Sequence, residues 1–372
     1  MDFGFSEEQE LLRAEVRKFL DQNCPLEEVR KLAETPAGFS RHLWERMAEL
    51  GWVGLTLPDE HGGVGLGWVD LAVVLEETGR TLFPSPLVAT VLAATAIDRA
   101  GDAAQRARWL PALACGTSIG TVALLEGSDD PDPAGIALAG SSEGSGFALH
   151  GEKLFVTDAQ NADLFVVAFR APQGPCLGVI ERGAPGVAAL PHELMDPTRR
   201  AGRLVLDGAR IPREALLGSP GAALATTQRL CDCGATAVVA EAVGAAEAAL
   251  ALSVDYAKTR IQFGQPIGRF QGVKHPLAEM VVEVESLRSL LYYAAWLLDR
   301  DAPEAPLAVS RAKAFAAECF PRIGIDCIQL HGAIGYTWEY DAQLYLKRAK
   351  WTRPAFGDAA YHHERIARLG GL

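Results

Sequence analysis

Two loops of this chain carry residue types suited to holding a flat ligand that bears phosphates. The first reads Arg260-Ile261-Gln262-Phe263-Gly264-Gln265-Pro266-Ile267-Gly268-Arg269-Phe270-Gln271 and joins two expected long helices. Its leading arginine offers a planar fork of donors that matches a phosphate pair. Phe263 can stack on a flat ring, and Gly264 and Gly268 let backbone approach a ligand closely. The second reads Gln329-Leu330-His331-Gly332-Ala333-Ile334-Gly335-Tyr336-Thr337, a glycine-rich turn after another helix. Other groupings weigh less. Cys231-Asp232-Cys233 is a lone C-x-C without further ligands, so helix packing is expected. His362-His363 with Glu364 reads as an exposed helix face, and Lys347-Arg348-Ala349-Lys350 with Arg353 as a solvated charge run.

The elements that must position these loops fall into three stretches, expected as domains at 1–118, 119–217 and 218–372. The first reads as helices. Ser6 with Gln9 is a capping box, and Leu11, Leu12, Val16, Phe19 and Leu20 form an apolar stripe. Further helices are expected near 39–50, 68–81, 86–99 and 102–114, broken by the segment Leu57 to Gly63. The middle stretch holds short β-branched and aromatic runs between Gly, Pro and Asp, which suits a small β-barrel or sandwich. Within it Gly151-Glu152 reads as a hairpin turn. The last stretch is helical again. Ala235 to Leu252 suits a helix buried on most sides. Leu277, Met280, Val281, Val284, Leu287, Leu291, Ala294 and Leu298 mark a long amphipathic helix, part of an expected four-helix bundle. Helices, strands, then helices is not the βαβ alternation of a doubly wound nucleotide-binding fold. No G-x-G-x-x-G follows a strand, and no phosphate-binding G-x-x-x-x-G-K-[ST] is present.

The 372 residues are 49% hydrophobic and 22% charged, with a formal net charge of −12. That excludes a mostly disordered chain and allows a large core without staples. The acidic balance argues against nonspecific nucleic-acid binding, which needs clustered Lys and Arg. No apolar run is read as reaching the roughly 18–20 residues of a membrane span. The first residues read as a helix rather than a signal or transit peptide. Seven cysteines without a C-x-x-C pair read as reduced core thiols of a cytosolic, cytoplasmic protein.

The pair R-x-x-F-G-x-P-I-G-x-F-Q and Q-x-H-G-x-x-G-Y-T-x-E resembles the acyl-CoA dehydrogenase family. The likeness extends along the chain. Pro58, Glu60, Gly62, Gly63 and Gly65 resemble the family's P-E-x-x-G-G-x-G turn, and Gly151 to Thr157 its G-x-K-x-W-I-T strand. Arg210-Ile211-Pro212 resembles the V-P that closes its β-domain. The resemblance implies an α–β–α fold of that family, FAD as cofactor, and removal of hydrogens from Cα and Cβ of an acyl-CoA. It also implies that each FAD lies across a subunit interface, with the neighbour gripping the ADP half. Carried over, Arg260 would pair with the pyrophosphate and Phe263 would pack on the nucleotide, while Gln271, Gln329 and Gly332 would contact the ADP half. The competing role for Arg260 is a solvated helix-end cation, for Phe263 core packing, and for Gly332 a plain turn.

Departures from the family pattern fall at the flavin ring and the base. The implied chemistry needs a carboxylate to take the α-proton. In the family this Glu stands in a C-terminal Y-E-G-T turn or near the start of the helix after the β-domain. Here Phe356 occupies the first position and Gly234 the second, and neither can abstract a proton. Asp358 and Asp232 are weak substitutes. Asp358 is the better candidate for a helix N-cap, and Asp232 would point away from a site that Gly234 faces. The family's T-E-P…G-S-D loop falls on Leu125-Glu126-Gly127-Ser128-Asp129-Asp130, with its first Thr and its Pro replaced. Glu126 reads as a loop residue rather than a base. The family's flavin-side Trp is Phe155 here, which is either core or a flavin contact, while Thr157 is kept.

An ADP half kept and a base lost resembles the second chain of bacterial heteromeric (α2β2) acyl-CoA dehydrogenases. The expected partners are then a homologous catalytic subunit in a heterotetramer, an acyl-CoA and an electron-transfer flavoprotein. Steroid-derived acyl groups enter by analogy alone. Alternatives are a self-sufficient homotetramer with an Asp base, a flavoprotein of this fold with other redox chemistry, and a non-enzymatic binding protein.

Overall fold

The computed structural model describes residues 4–128 and 131–372. Asp129 and Asp130 of the expected flavin-side loop lie outside the described residues. Six helices come first: α1 (Glu7–Asn23), α2 (Leu26–Ala33), α3 (Arg41–Glu49), α4 (Trp68–Arg80), α5 (Leu87–Ala100) and α6 (Ala103–Ala114). Eight strands follow: β1 (Gly120–Ala123), β2 (Gly140–Glu143), β3 (Gly146–Thr157), β4 (Leu164–Ala171), β5 (Gly174–Glu181), β6 (Val187–Pro191), β7 (Ala201–Ile211) and β8 (Leu216–Leu217). The chain ends in α7 (Leu224–Thr259), the short strands β9 (Ile261–Gln262) and β10 (Gln265–Pro266), α8 (Gln271–Asp299), α9 (Ala305–His331), α10 (Ala342–Thr352) and α11 (Ala359–Leu369). The expected order of helices, strands and helices is therefore present. Ser6 and Gln9 cap α1 reciprocally, as the sequence pattern requires.

Two compact units can be distinguished by their internal packing: residues 1–31, 68–83 and 235–372, and residues 32–67 and 84–234. In the first unit α4 crosses α7 at close range. Gly79 faces the backbone of Glu241, and Gly244 faces the carbonyl of Glu76, leaving no room for a Cβ at either position. Around this crossing lies a buried ionic cluster. Glu76 meets Arg13, Arg288 and the Tyr292 hydroxyl, and Glu77 meets Arg17 and Arg80. Both acids are almost fully buried, so each charge requires its partners.

The second unit holds two four-stranded sheets, ordered β1-β4-β5-β8 and β2-β3-β7-β6. The barrel-or-sandwich expectation resolves into these two sheets. β1 runs parallel to β4, and the other pairs in both sheets are antiparallel. Gly151-Glu152 is not a turn: both residues lie inside β3. The register against β7 shifts between Leu149 and His150, and Gly151 takes φ +143°, so the glycine serves an irregular strand. The hairpin turn is Gly144-Ser145, between β2 and β3. Arg200 fastens the α2–α3 connection by donating to the carbonyls of Ala33, Thr35 and Pro36.

Some further expectations need correction. α7 is long and apolar enough, by length and composition, to cross a membrane, contrary to the sequence reading. Yet 67% of its most apolar stretch is buried within the protein, as a core helix would be. On α8 the apolar stripe is buried as expected, except Val281, which is exposed. Arg348 and His362 are buried rather than solvated. Cys115 is exposed, whereas Cys24, Cys176, Cys233, Cys319 and Cys327 are buried.

Candidate functional site

The first loop grows directly from the end of α7. Arg260 closes that helix through its amide on the Tyr256 carbonyl (2.8 Å), and its own carbonyl accepts from Ile267 (2.9 Å). Between these bonds β9 and β10 form a hairpin whose two-residue tip is Phe263-Gly264. Both tip residues have positive φ, +54° and +78°, the mirror-image turn that matches strand twist. That backbone is natural for glycine and strained for phenylalanine. Phe263 is 91% exposed, so burial of its ring does not repay the strain, and core packing is excluded as its role. Its only ring contact among the described residues is edge-on to Phe270, at 6.0 Å. The Arg260 side chain is exposed and pairs with no acid among the described residues. Gln271, the first residue of α8, is exposed as well.

The second loop lies in the same unit. α9 ends at His331, and Gly332 follows at φ 64°, ψ −142°, a conformation essentially reserved for glycine. A Cβ there would meet nothing within 4 Å, so the constraint is backbone shape and the peptide is open to approach. Gln329 and Gly332 are both exposed. The two loops are tied together by His331. Its ring sits 4.5 Å from Tyr256 of α7 and 4.9 Å from Tyr340, and its Nδ1 lies 2.6 Å from the Cys327 carbonyl. The geometry gives His331 a structural role. Exposed guanidinium, exposed ring, amide side chains and open glycine backbone fit the phosphates and flat base of a dinucleotide.

The flavin-ring candidates belong to the second unit. Phe155 stands where the β3–β7 register breaks, with φ +49° and 57% exposure, its ring 5.1 Å from His192. Exposure removes the core alternative for Phe155. Thr157 ends β3, half-buried, and its carbonyl accepts from the buried Thr121 hydroxyl at 2.6 Å. Glu126 is not available as a base. Its carboxylate accepts from the amides of Ala137 and Leu138, both at 2.9 Å, and from the fully buried Lys153 ammonium. Burial pushes the Glu126 carboxyl up, but Lys153 and the two amides outweigh it and hold it below its ordinary value. Burial draws Lys153 down to about 8, against the opposing pull of Glu126.

The two expected base positions remain without a base. Gly234 is buried within α7, and Phe356 is half-buried at φ +56° in the turn before α11. Asp358 caps α11 by accepting from the Tyr361 amide at 2.9 Å. Asp232 is buried and has a partner within the protein, so it is neither solvated nor a spare carboxylate. No cluster of metal ligands occurs among the described residues.

Sequence reasoning missed the buried cations. Lys153 and Lys313 are fully buried, yet each reads as an ordinary lysine between apolar residues. Their flanking residues, Phe155-Val156 and Ala312 to Ala317, were the available signal: a charge inside an apolar run needs a carbonyl or carboxylate partner.

The family description "Acyl-CoA dehydrogenase, N-terminal domain" matches residues 6–117, and "Acyl-CoA dehydrogenase, C-terminal domain" matches residues 221–370. The acyl-CoA dehydrogenase IpdE2 of Mycolicibacterium smegmatis is 34% identical over 367 residues, covering 98% of each chain. Among solved structures, the Tcur3481–Tcur3483 steroid ACAD is similar with a TM-score of 0.90 at 32% identity, covering 98% of both chains. The ChsE4–ChsE5 complex from Mycobacterium tuberculosis gives a TM-score of 0.91 at 30% identity, covering 100% of this chain and 99% of that one.

Proposed function

The chain belongs to the acyl-CoA dehydrogenase family, and on that premise we propose that it is the non-catalytic partner subunit of a heteromeric enzyme. The family's reaction is oxidation of a CH–CH bond in an acyl-CoA thioester, with FAD as cofactor. Bound FAD supplies the hydride acceptor. The residues of this chain do the holding. Arg260 offers its fork to the pyrophosphate, and Phe263 covers the nucleotide. Gln271 and Gln329 supply side-chain hydrogen bonds, and Gly332 leaves its peptide open. These contacts complete the ADP half of a flavin whose ring lies in the partner.

The observation that carries the reading is the absence of a base. Phe356 and Gly234 fill the two positions, Asp358 is committed to a helix cap, Asp232 is buried with a partner inside the protein, and the half-buried Glu126 is paired with Lys153. Phe155 and Thr157 stand toward a ring, and without a base they make an incomplete site. Two structural neighbours support a mixed assembly: the Tcur3481–Tcur3483 steroid ACAD and the ChsE4–ChsE5 complex. A heterotetramer, a steroid-derived or fatty acyl group, an electron-transfer flavoprotein as acceptor and a cytoplasmic location complete the proposal.

The test is FAD content. The chain is purified alone, and again after co-expression with the homologous dehydrogenase chain encoded nearest to it. An empty lone protein, with about one FAD per pair of different chains on co-purification, supports the reading. One tightly held FAD per chain in the lone protein would sink it.

A further inference from the structure

Within the first unit, the segment that follows the Gly332 turn is gripped by a cation from α2. Arg30 donates from Nη1 to the Trp338 carbonyl (2.7 Å) and from Nη2 to the Tyr340 carbonyl (3.0 Å). Its Nη2 and Nε also donate to Asp341 Oδ1, at 2.8 and 3.3 Å. Two carbonyls and a carboxylate on neighbouring residues are therefore taken by one guanidinium. Arginine suits this task, because its donors form a rigid planar fork that one ammonium cannot imitate.

Burial does not hold this segment. Gly332, Ala333 and Ile334 are exposed, and so are Tyr336, Thr337, Trp338 and Glu339. Tyr336 is 77% exposed and Trp338 58%. A segment this exposed gains little from the hydrophobic effect to offset the entropy of ordering it, so polar fastening must do so. Part of that fastening is local. The Thr337 amide and hydroxyl donate to the Ile334 carbonyl, at 3.1 and 3.0 Å, and the Tyr340 amide to the Thr337 carbonyl at 3.3 Å. Arg30 supplies fastening from outside the segment, together with Lys347 of α10, whose ammonium lies 4.6 Å from the centre of the Trp338 ring. The grip reaches the site through Tyr340. Its carbonyl is held by Arg30, and its ring lies 4.9 Å from that of His331. His331 ends α9 between Gln329 and Gly332, the two residues offered to the nucleotide.

We propose that Arg30 is a positioning residue for the ADP half of the flavin nucleotide: by fixing residues 338–341 it presets the Gln329–Gly332 turn before the nucleotide arrives. This role rests on the reading of Gln329 and Gly332 as nucleotide contacts, and it asks for no base in this chain. A preset loop pays less ordering entropy on binding, so loosening it weakens cofactor holding without removing any group that touches the cofactor.

Four variants of the full chain, each co-purified with the partner subunit, test this: Arg30→Met, Arg30→Lys, Asp341→Asn and, as a control on the site itself, Arg260→Ala. FAD release on dilution is read from the rise in flavin fluorescence. Amide hydrogen exchange is followed at Thr337 and Tyr340 and along the core of α9, and kcat is measured with FAD in excess. Arg30→Met releases FAD about tenfold faster, as expected for the loss of bonds from a charged donor. Its Thr337 and Tyr340 amides lose protection while the core of α9 keeps it, and kcat with FAD in excess is unchanged. Arg30→Lys keeps a charge for Asp341 but not the fork, so its release rate falls between Arg30→Met and the unmodified protein. Asp341→Asn leaves both carbonyl bonds in place and has the smallest effect of the three. Arg30→Met with the original release rate, while Arg260→Ala still releases FAD faster, would overturn the positioning role and leave the nucleotide site standing. Arg260→Ala without effect on release would overturn the reading of the site, and the role of Arg30 with it. Should Arg30→Met fail to assemble, Arg30→Lys decides: a release rate equal to that of the unmodified protein overturns the proposal.

Discussion

The rings of Tyr256 and His331 lie 4.5 Å apart and join the ends of α7 and α9, the helices from which the two dinucleotide-type loops spring. Neither loop touches its ligand groups through this pair. The contact instead links the loop that carries Arg260 to the loop that carries Gly332. Tyr256→Ala is expected to cost about 1–2 kcal/mol of stability, the worth of an aromatic pair and its part-buried area. Its larger effect is on FAD retention by the co-purified assembly. Dialysis with absorbance readout measures it, and retention equal to the unmodified protein would contradict the coupling of the two loops.

Glu126→Gln separates a structural acid from a base. Removing the carboxylate strands the buried Lys153 charge, which typically costs about 3–5 kcal/mol. Urea denaturation should show that loss, and Glu126→Leu with Lys153→Met should recover most of it. An activity loss in a Glu126→Gln protein of unchanged stability would instead mark Glu126 as catalytic.

The cluster around Glu76 and Glu77 predicts a second stability defect, in the first unit. Glu77→Gln leaves Arg17 and Arg80 facing a neutral amide. A loss of about 3 kcal/mol is expected, from breaking a buried pair on one side. The loss should persist in high salt, because a buried pair is screened little. A defect that disappears at 1 M salt, where the Debye length is about 3 Å, would show the cluster to be a surface network.

The pH profile of stability follows from two depressed groups. His362 folds with a value of about 3 against 6.5 for the free side chain. The unfolded chain therefore binds a proton that the native one refuses, and stability falls as pH drops from about 6.5 toward 3. Lys313 folds at about 7 against 10.5, so its contribution rises as pH climbs through that window. Each slope is at most about 1.4 kcal/mol per pH unit. Chemical denaturation in a pH series should lose the acid limb in His362→Gln and the alkaline limb in Lys313→Met.

Asp358→Asn tests the reading of that residue as a cap. Asparagine caps as well as aspartate, so stability should change by only a few tenths of a kcal/mol, and Asp358→Ala should cost about 1 kcal/mol. Neither variant should lower kcat of the assembled enzyme. A kcat collapse in Asp358→Asn with stability intact would make it the missing base.

The sequence by itself determined a great deal. Capping boxes, helical periodicity and short β-rich runs depend on residues near in sequence, so the order of helices, strands and helices was legible. So were the two loops, because Arg, Phe, Gln and Gly at those spacings form contiguous motifs. That Phe356 and Gly234 stand at the family's two base positions came from the resemblance and not from spacing. Where the sequence misled, neighbours distant in the chain decided. Gly151 looked like a turn until the register of β3 against β7 made it part of a strand. Arg348 and His362 looked solvated because their own helices are charged, and only packing against other elements buried them. Tyr256 gave no hint of its role, since its partner is 75 residues away. Lys153 and Lys313 are the clearest case. A lysine looks the same anywhere in a sequence, and only the carboxylate and carbonyls brought to it by folding determine whether it is a surface cation or a buried one.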